Sequence, residues 1–348
     1  MLDDIRLMAE VDKSNMLDVL ARFPDQITEA VDLVKTVQIP DFIKVDQVII
    51  TGMGASGISG DLIQSLFRDA IDVPLVVNKE FDLPKWANKH TLTVFVSYSG
   101  NTEETLNAFK NASQKKCKII GISSGGKLQE LCEKRGLTHI CVPGGIQPRS
   151  AIAYLFIPLV YILERNRLIK NSIDTDLAEV LTVTTECRNQ NNKMVNEQEN
   201  LAKQIARTLL GTTPQVYGWG IYAPVAKRWR TQFNENSKVI ARDDVVPECD
   251  HNDIVGWSAD GKVAKQWSVL LFRDKDEESL YQSVRLDFME TLFTGSVAHL
   301  IEVAPRGKNR LAKVLYTLYL GDFVSCYLGL LRNIDPSPVD AITALKNQ

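Results

Sequence analysis

The 348-residue chain has only four histidines, at 90, 139, 251 and 299, and no HxH or HExxH spacing among them. A dedicated zinc site is therefore not expected, and no other metal motif stands out. The six cysteines, at 117, 132, 141, 187, 249 and 326, form no CxxC pair. The opening stretch MLDDIRLMAEVDK has no apolar signal core. Together these predict free thiols and a cytoplasmic setting. The chain also lacks a basic excess: its net charge is −3 and no basic stripe is present. A nucleic-acid partner is thereby disfavoured. Long apolar runs are missing too. The longest, Ala151–Leu163, has 13 residues and contains Pro158. A membrane span takes roughly 18–20 residues, so this run predicts a buried helix and no membrane partner. What remains is an ordinary globular composition, 45% apolar and 24% charged, long enough for two domains.

Residues 1–40 carry Met8, Val11, Met16, Leu17, Leu20 and Phe23 at helical spacing. From Gln47 strands and helices alternate. Strands are predicted at 47–54, 75–78, 92–98, 118–123 and 139–143, with helices at 61–67, 103–114, 128–134 and 151–165. Such alternation predicts a parallel sheet covered on both faces. Residues 172–210 show no strand signal, and Arg188-Asn-Gln-Asn-Asn-Lys193 reads as part of a solvated helical connector. A second α/β unit follows. Its strands are predicted at 215–220, 239–242, 267–272 and 298–303, and its helices at 223–233, 278–292 and 312–332. Val48-Ile-Ile-Thr-Gly-Met-Gly54 and Val216-Tyr-Gly-Trp-Gly220 both end a strand in a glycine pair. The expected fold class is α/β, two tandem doubly wound domains with parallel sheets flanked by helices. The expected division is 1–170, a connector at 171–210, and 211–348.

Gly52-Met-Gly-Ala-Ser-Gly57 has the G-x-G-x-x-G spacing of a dinucleotide fingerprint after a strand. The acidic residue due at the end of the next strand is not in place. That strand ends Asn78-Lys79-Glu80, with Glu80 late and beside a lysine. A nucleotide-dependent oxidoreductase is thus the weaker reading. Ser97-Tyr-Ser-Gly-Asn-Thr102 is more informative, with three hydroxyls in six residues at the predicted start of a helix. Backbone N–H groups, the helix dipole and hydroxyl donors together suit a phosphate dianion. The competing account is a plain N-cap by Thr102, which needs one hydroxyl rather than three. A third small-residue loop, Ser123-Ser-Gly-Gly-Lys127, ends the following strand on the same rim, with Lys127 read as a solvated helix-start lysine.

With these loops, the sequence resembles the sugar isomerase (SIS) domain superfamily, through Ser97-Tyr-Ser-Gly-Asn-Thr-Glu-Glu-Thr105. A narrower likeness rests on Thr51–Gly57, Pro148-Arg-Ser150, Gln232-Phe-Asn-Glu-Asn-Ser-Lys238, Pro247–Asn252 and Ala344-Leu-Lys346, in that order. This set resembles the bifunctional phosphoglucose/phosphomannose isomerases of archaea and some bacteria. The resemblance implies two SIS domains, a homodimer, no cofactor, and interconversion of aldose and ketose 6-phosphates. It implies that Gly54, Ser56, Ser97, Ser99 and Thr102 hold the substrate phosphate. It places Arg149 near the reacting carbons, Glu235 as the base, and His251 and Lys346 at ring opening, the histidine coming from the partner subunit. The chain departs from relatives at Glu248-Cys-Asp-His251, and at Ser337, where threonine is common.

The chemistry agrees with these residue types. Moving a proton between C1 and C2 through a cis-enediol needs one base that reaches both carbons, and a carboxylate in a buried setting fits. The flanking asparagines of Glu235 suit orienting it or binding sugar hydroxyls; a surface Asn-Glu-Asn turn is the bland alternative. A fixed guanidinium such as Arg149 stabilises an enediolate more than the ground state. Imidazole transfers the ring-opening proton near pH 7. His90, His139 and His299 have no such context and read as structural. Cys249 beside His251 raises a thiol or metal reading, which lacks a third ligand. A SIS-type sugar-phosphate-binding regulator without catalysis is the alternative; it should lack the base, the arginine or the histidine, and all three are present.

Overall fold

The computed structural model describes residues 1–170, 172–259 and 261–346. It divides into two compact units, Arg22–Ala178 and Met1–Ala21 with Glu179–Gln348. The chain opens with α1 (Ile5–Val11) and α2 (Met16–Ala21). Asp4 caps α1, its Oδ1 accepting from the backbone N–H of Arg6 at 2.9 Å. The predicted apolar face is buried at Met8, Val11, Met16, Leu17 and Leu20. These helices group with the C-terminal unit rather than with the residues that follow them. The buried ammonium of Lys203 donates to the Leu2 carbonyl, and the Tyr319 hydroxyl donates to the Leu20 carbonyl at 2.7 Å. Residues 1–21 were expected with the first domain; local helical spacing shows which face is buried but not which core buries it.

The first unit, Arg22–Ala178, begins with α3 (Phe23–Thr36) and continues β1 (Gln47–Thr51), α4 (Gly54–Leu66), β2 (Leu75–Asn78), β3 (Thr91–Val96), α5 (Glu103–Gln114), β4 (Lys118–Ser123), α6 (Gly126–Lys134), β5 (Thr138–Cys141) and α7 (Ile152–Arg165). The sheet is parallel throughout, in the order β2-β1-β3-β4-β5. Every residue of β3 is buried, as a central strand covered on both faces requires. One flank packs Phe95 edge-to-face on Phe109 of α5, ring centres 5.2 Å apart. On the other, α7 packs against α3 and α4. The helix predicted from Asp61 starts at Gly54, so the glycine-rich segment is its first turns rather than a free loop. Small residues are needed there because α4 lies so close to the end of β1. A Cβ on Gly57 would stand 2.5 Å from the Gly52 carbonyl oxygen.

Next come α8 (Asp174–Asn191), which spans the division between the units, and α9 (Leu201–Leu209). The expected solvated connector is instead largely packed structure. Val180, Thr184, Cys187 and Asn191 are buried on α8, and Ala202, Ile205, Ala206 and Leu209 on α9, which lies against the long helix near the C-terminus. The polar run 188–193 obscured the i, i+3, i+4, i+7 stripe that follows it. Position 171, where the connector was expected to begin, lies outside the described residues.

The second unit then runs β6 (Thr213–Trp219), α10 (Ala223–Gln232), β7 (Arg242–Val246), α11 (Asp253–Ala259), α12 (Gly261–Ala264), β8 (Trp267–Phe272), α13 (Leu280–Phe293), β9 (His299–Val303), α14 (Arg310–Leu331) and α15 (Asp340–Lys346). Its parallel sheet has the order β7-β6-β8-β9, which repeats the first four places of the other sheet. The tandem-copy expectation thus holds at the level of topology. The strand expected at 239–242 lies at Arg242–Val246, with Ile240 exposed in the preceding loop. An edge strand tolerates Asp243 and Asp244, which hid it from a reading based on apolar runs. Helix α14 is long and apolar enough to cross a membrane, but it is 94% buried inside the protein over its most apolar stretch.

Candidate active site

Three loops at the carboxyl ends of β1, β3 and β4 form one rim of the first unit, the place where open α/β sheets bind ligands. Gly54, at φ +51°, opens α4, and no side chain caps that helix. Two residues on, the buried Ser56 hydroxyl accepts from the Tyr98 N–H at 3.2 Å, which joins the first loop to the second. In the second loop Ser97 is buried and its hydroxyl donates to Thr102 Oγ1 at 2.9 Å. Thr102 is the N-cap of α5, yet its side chain makes no capping bond. The plain N-cap account of this threonine therefore fails. The first N–H groups of α5 have no side-chain acceptor at the cap and suit an anion. Ser99 is exposed, and its hydroxyl accepts from the Asn101 N–H at 3.2 Å.

The third loop braces the second. Ser124 Oγ donates to the Tyr98 carbonyl at 2.7 Å, and Asn101 Oδ1 accepts from the Lys127 N–H at 3.1 Å. Gly100 has φ +68°, and a Cβ there would overlap the Gly125 carbonyl oxygen. Only glycine allows the two loops to approach this closely. The Tyr98 hydroxyl donates to the Pro143 carbonyl at 3.0 Å and accepts from the Ile146 N–H. That contact steers the chain into the short 3₁₀ turn Pro148–Ser150, which packs against α4 and holds Arg149, 3% exposed. Sequence reasoning did not single out Tyr98. Its place between the two serines of the loop was the available signal.

The nucleotide fingerprint stays incomplete in three dimensions. Asn78 ends β2 and turns its amide to the Glu80 carbonyl, Lys79 pairs with Asp61 at 2.6 Å, and Glu80 is exposed beyond the strand.

The remaining candidates belong to the second unit. Glu235, half-buried, sits on one turn of π-helix (Phe233–Ser237) that extends α10. Such turns often mark functional positions. Its mooring is extensive. Asp322 of α14 accepts from Arg228 Nη2 and from Gln232 Nε2, both at 2.8 Å. Asn236 Nδ2 donates to Ser325 Oγ at 2.9 Å, and Ser237 Oγ donates to the Ser325 carbonyl at 2.6 Å. Lys238, in the left-handed region at φ +51°, donates to the Glu235 and Asp335 carbonyls at 2.8 Å and to that of Pro336 at 3.1 Å. This lysine ties the Glu235 turn to the segment carrying the buried Ser337. The flanking asparagines serve the scaffold, Asn234 Oδ1 accepting from the Ala241 N–H at 3.1 Å.

His251 is exposed on the turn Glu248–His251. That turn is anchored through Asp253, whose carboxylate accepts from the Tyr217 hydroxyl and from Trp257 Nε1. Burial pushes the neighbouring Cys249 thiol well above its ordinary pKa, so it is no thiolate nucleophile. Among the described residues no group of three His, Cys, Asp or Glu side chains could hold a metal ion. Lys346 ends α15, whose residues from Ala341 onward are exposed. The C-terminal helix forms as expected, but it is not buried in this chain; positions 347–348 lie outside the described residues.

Among its described residues the second unit has no counterpart of the Ser97–Thr102 loop. The topological counterpart of β3 is β8, and the segment after it runs Arg273–Ser279. There Asp274 already accepts from the Tyr222 hydroxyl at 2.5 Å and from Lys313 Nζ at 3.0 Å, while Arg273 Nε donates to Glu278 at 2.9 Å. Ser279 closes the N-terminus of α13 with a full capping box. The chain's own carboxylates and serine satisfy the donors that the first unit leaves open.

The family model of the bacterial phospho-glucose isomerase C-terminal SIS domain matches residues 198–348. A bifunctional phosphoglucose/phosphomannose isomerase of Caldicellulosiruptor bescii is 36% identical over 335 residues, covering 96% of this chain and 98% of the relative. One of Thermoplasma volcanium is 34% identical, covering 88% of this chain and 92% of its own. A solved glucose-6-phosphate isomerase-like protein of Thermus thermophilus superposes with TM-score 0.66 at 19% identity, covering 97% and 98% of the two chains. At that identity the superposition speaks for the fold alone, and it agrees with the tandem α/β architecture.

Proposed function

The chain belongs to the bifunctional phosphoglucose/phosphomannose isomerase family, and from this premise we propose that it interconverts glucose 6-phosphate and mannose 6-phosphate with fructose 6-phosphate. The observation that carries the phosphate half is the Ser97–Thr102 bond, which leaves the α5 N-terminus without a side-chain cap. Gly54, Ser56, Ser97, Ser99 and Thr102 hold the phosphate there. Glu235 is the base. It takes the C2 hydrogen of the open aldose as a proton, and the electron pair left behind forms the C1–C2 double bond of a cis-enediol. Returning the proton to C1, while the O2 proton passes to O1, gives the ketose. Arg149 stabilises the enediolate charge. His251 and Lys346 move the ring-opening proton from the C1 hydroxyl to the ring oxygen. Glucose and mannose 6-phosphates yield one and the same enediol, because C2 becomes trigonal.

The reaction so written uses no metal or cofactor, and the six free cysteines suit a reducing cytoplasm. Protein treated with EDTA is expected to convert fructose 6-phosphate to both aldoses at the untreated rate. No turnover by untreated protein overturns the substrate assignment. Loss with EDTA and return with a divalent cation overturns the metal-free mechanism.

We also propose a homodimer in which His251 serves the partner's site. Its support is an apolar stripe on α13, Tyr281 at 77%, Val284 at 59% and Phe288 at 56% exposure, spaced i, i+3, i+7. Arg285 of that helix pairs with Asp250, next to His251, at 3.7 Å. Phe288→Asp is expected to halve the mass in sedimentation equilibrium and to lower activity with it. A variant that remains dimeric and fully active removes this face from consideration.

A further inference from the structure

We propose that His139 is a positioning residue for the phosphate loop, acting through Ser123 and the Gly125 carbonyl on Gly100. The inference rests on the phosphate reading of Ser97–Thr102 given above.

His139 lies on β5, one strand away from the end of β4, and is partly buried. Its Nε2 stands 2.7 Å from the hydroxyl of the fully buried Ser123. That hydroxyl donates to the Gly125 carbonyl at 2.8 Å and accepts from the Gly125 N–H at 3.3 Å. A carbonyl only accepts; assigning the single hydroxyl proton to Gly125 makes the histidine the donor on Nε2, and this is the tautomer the inference takes. Burial holds the His139 pKa below its ordinary value, which favours the neutral ring.

The bond matters because of where the Gly125 carbonyl points. Gly125 adopts φ +140° and Gly126 φ +72°, so this turn has no intrinsic preference for its conformation and needs an external brace. The braced carbonyl packs directly on Gly100, the one residue of the phosphate loop that leaves room for it. From the same turn the Leu128 N–H donates to the Gly100 carbonyl at 2.9 Å, and the Ser124 N–H to the Tyr98 carbonyl at 2.9 Å. The Gly125–Gly126 turn is therefore the back wall of the phosphate loop, and His139 with Ser123 sets its position. A tilt of the wall moves Gly100 and with it the N–H groups that start α5. The effect falls on phosphate binding, equally in ground and transition states, and so on KM rather than on kcat.

The test compares His139→Leu, His139→Gln and Ser123→Ala in the full-length protein, with fructose 6-phosphate as substrate and inorganic phosphate as competitor. Wild-type protein is measured first. If it isomerises the sugar but inorganic phosphate does not compete, the phosphate reading of the loop fails before any variant is made. His139→Leu removes the donor and is expected to raise both KM and the phosphate inhibition constant about fivefold, with kcat within about twofold of wild type. His139→Gln keeps an N–H in the place of Nε2 and is expected to restore both constants. Ser123→Ala breaks the relay at its other end, keeps the imidazole, and is expected to match the leucine variant even if that variant folds poorly. Unchanged constants in Ser123→Ala, or equal impairment of the glutamine and leucine variants, overturn the inference while leaving the phosphate reading intact.

Discussion

Glu235→Gln is expected to cut isomerase turnover by about 10²–10⁴-fold, the range that general-base catalysis supplies. The substitution keeps the size and shape of the side chain but removes its basicity. The bonds that Lys238, Asn236 and Ser237 make to hold the turn do not use that carboxylate. The backbone carbonyl of Glu235, not its side chain, receives Lys238, and Asn236 and Ser237 fix the turn to Ser325 from the other side. KM for fructose 6-phosphate should therefore move by severalfold at most. Exchange gives a second readout. The wild-type enzyme should wash deuterium from C2 of labelled glucose 6-phosphate into solvent, and the glutamine variant should not. A variant with full kcat and normal exchange would show that some other group is the base.

How much of this could be read from the sequence differs by element. Central strands were legible because burial on both faces demands apolar runs, and β4 and β8 fall at the predicted residues. Helix α5 was legible because Glu103 follows a hydroxyl-rich turn. What misled was composition read locally. Gly54–Gly60 looks like a loop because small residues dominate, yet those small residues let α4 pack against β1. The edge strand Arg242–Val246 carries two aspartates and was displaced onto the apolar residues before it. Which core takes up residues 1–21 depends on contacts such as Lys203 with Leu2, some two hundred positions apart, and no local pattern encodes that. For the site, the hydroxyl-rich loop pointed to Ser97 and Thr102 by residue type, whereas Arg149 and Glu235 were nominated only through the family resemblance. Both signals were silent on the supports. The Ser97–Thr102 bond depends on the folded path of its own loop, and the Tyr98 tether and the contact of Arg228 and Gln232 with Asp322 exist only once distant segments meet.

Asp322→Ala is expected to lower the free energy of unfolding by about 3–5 kcal/mol, because it removes the carboxylate that faces a buried guanidinium. Arg228 and Asp322 are 1% and 2% exposed, and the guanidinium meets the carboxylate through Nε at 3.1 Å and Nη2 at 2.8 Å. The same carboxylate accepts from Gln232 Nε2, whose own Oε1 is buried with no partner among the described residues. Alanine would leave two donors facing a cavity between α10 and α14, and chemical denaturation should report the loss as a lower midpoint. Gln232, held by the same carboxylate, ends α10 directly before the π-turn that carries Glu235, so stability and catalysis should fall together. A second variant separates the two. Replacing both partners by apolar residues of similar volume, Arg228→Met with Asp322→Leu, removes the buried charges together and should recover most of the stability. It leaves Gln232 without the acceptor that fixes its rotamer, so kcat should stay depressed. If kcat recovers along with the denaturation midpoint, Asp322 is only a structural partner, and the Glu235 turn is held well enough by Ser325 and Lys238 alone.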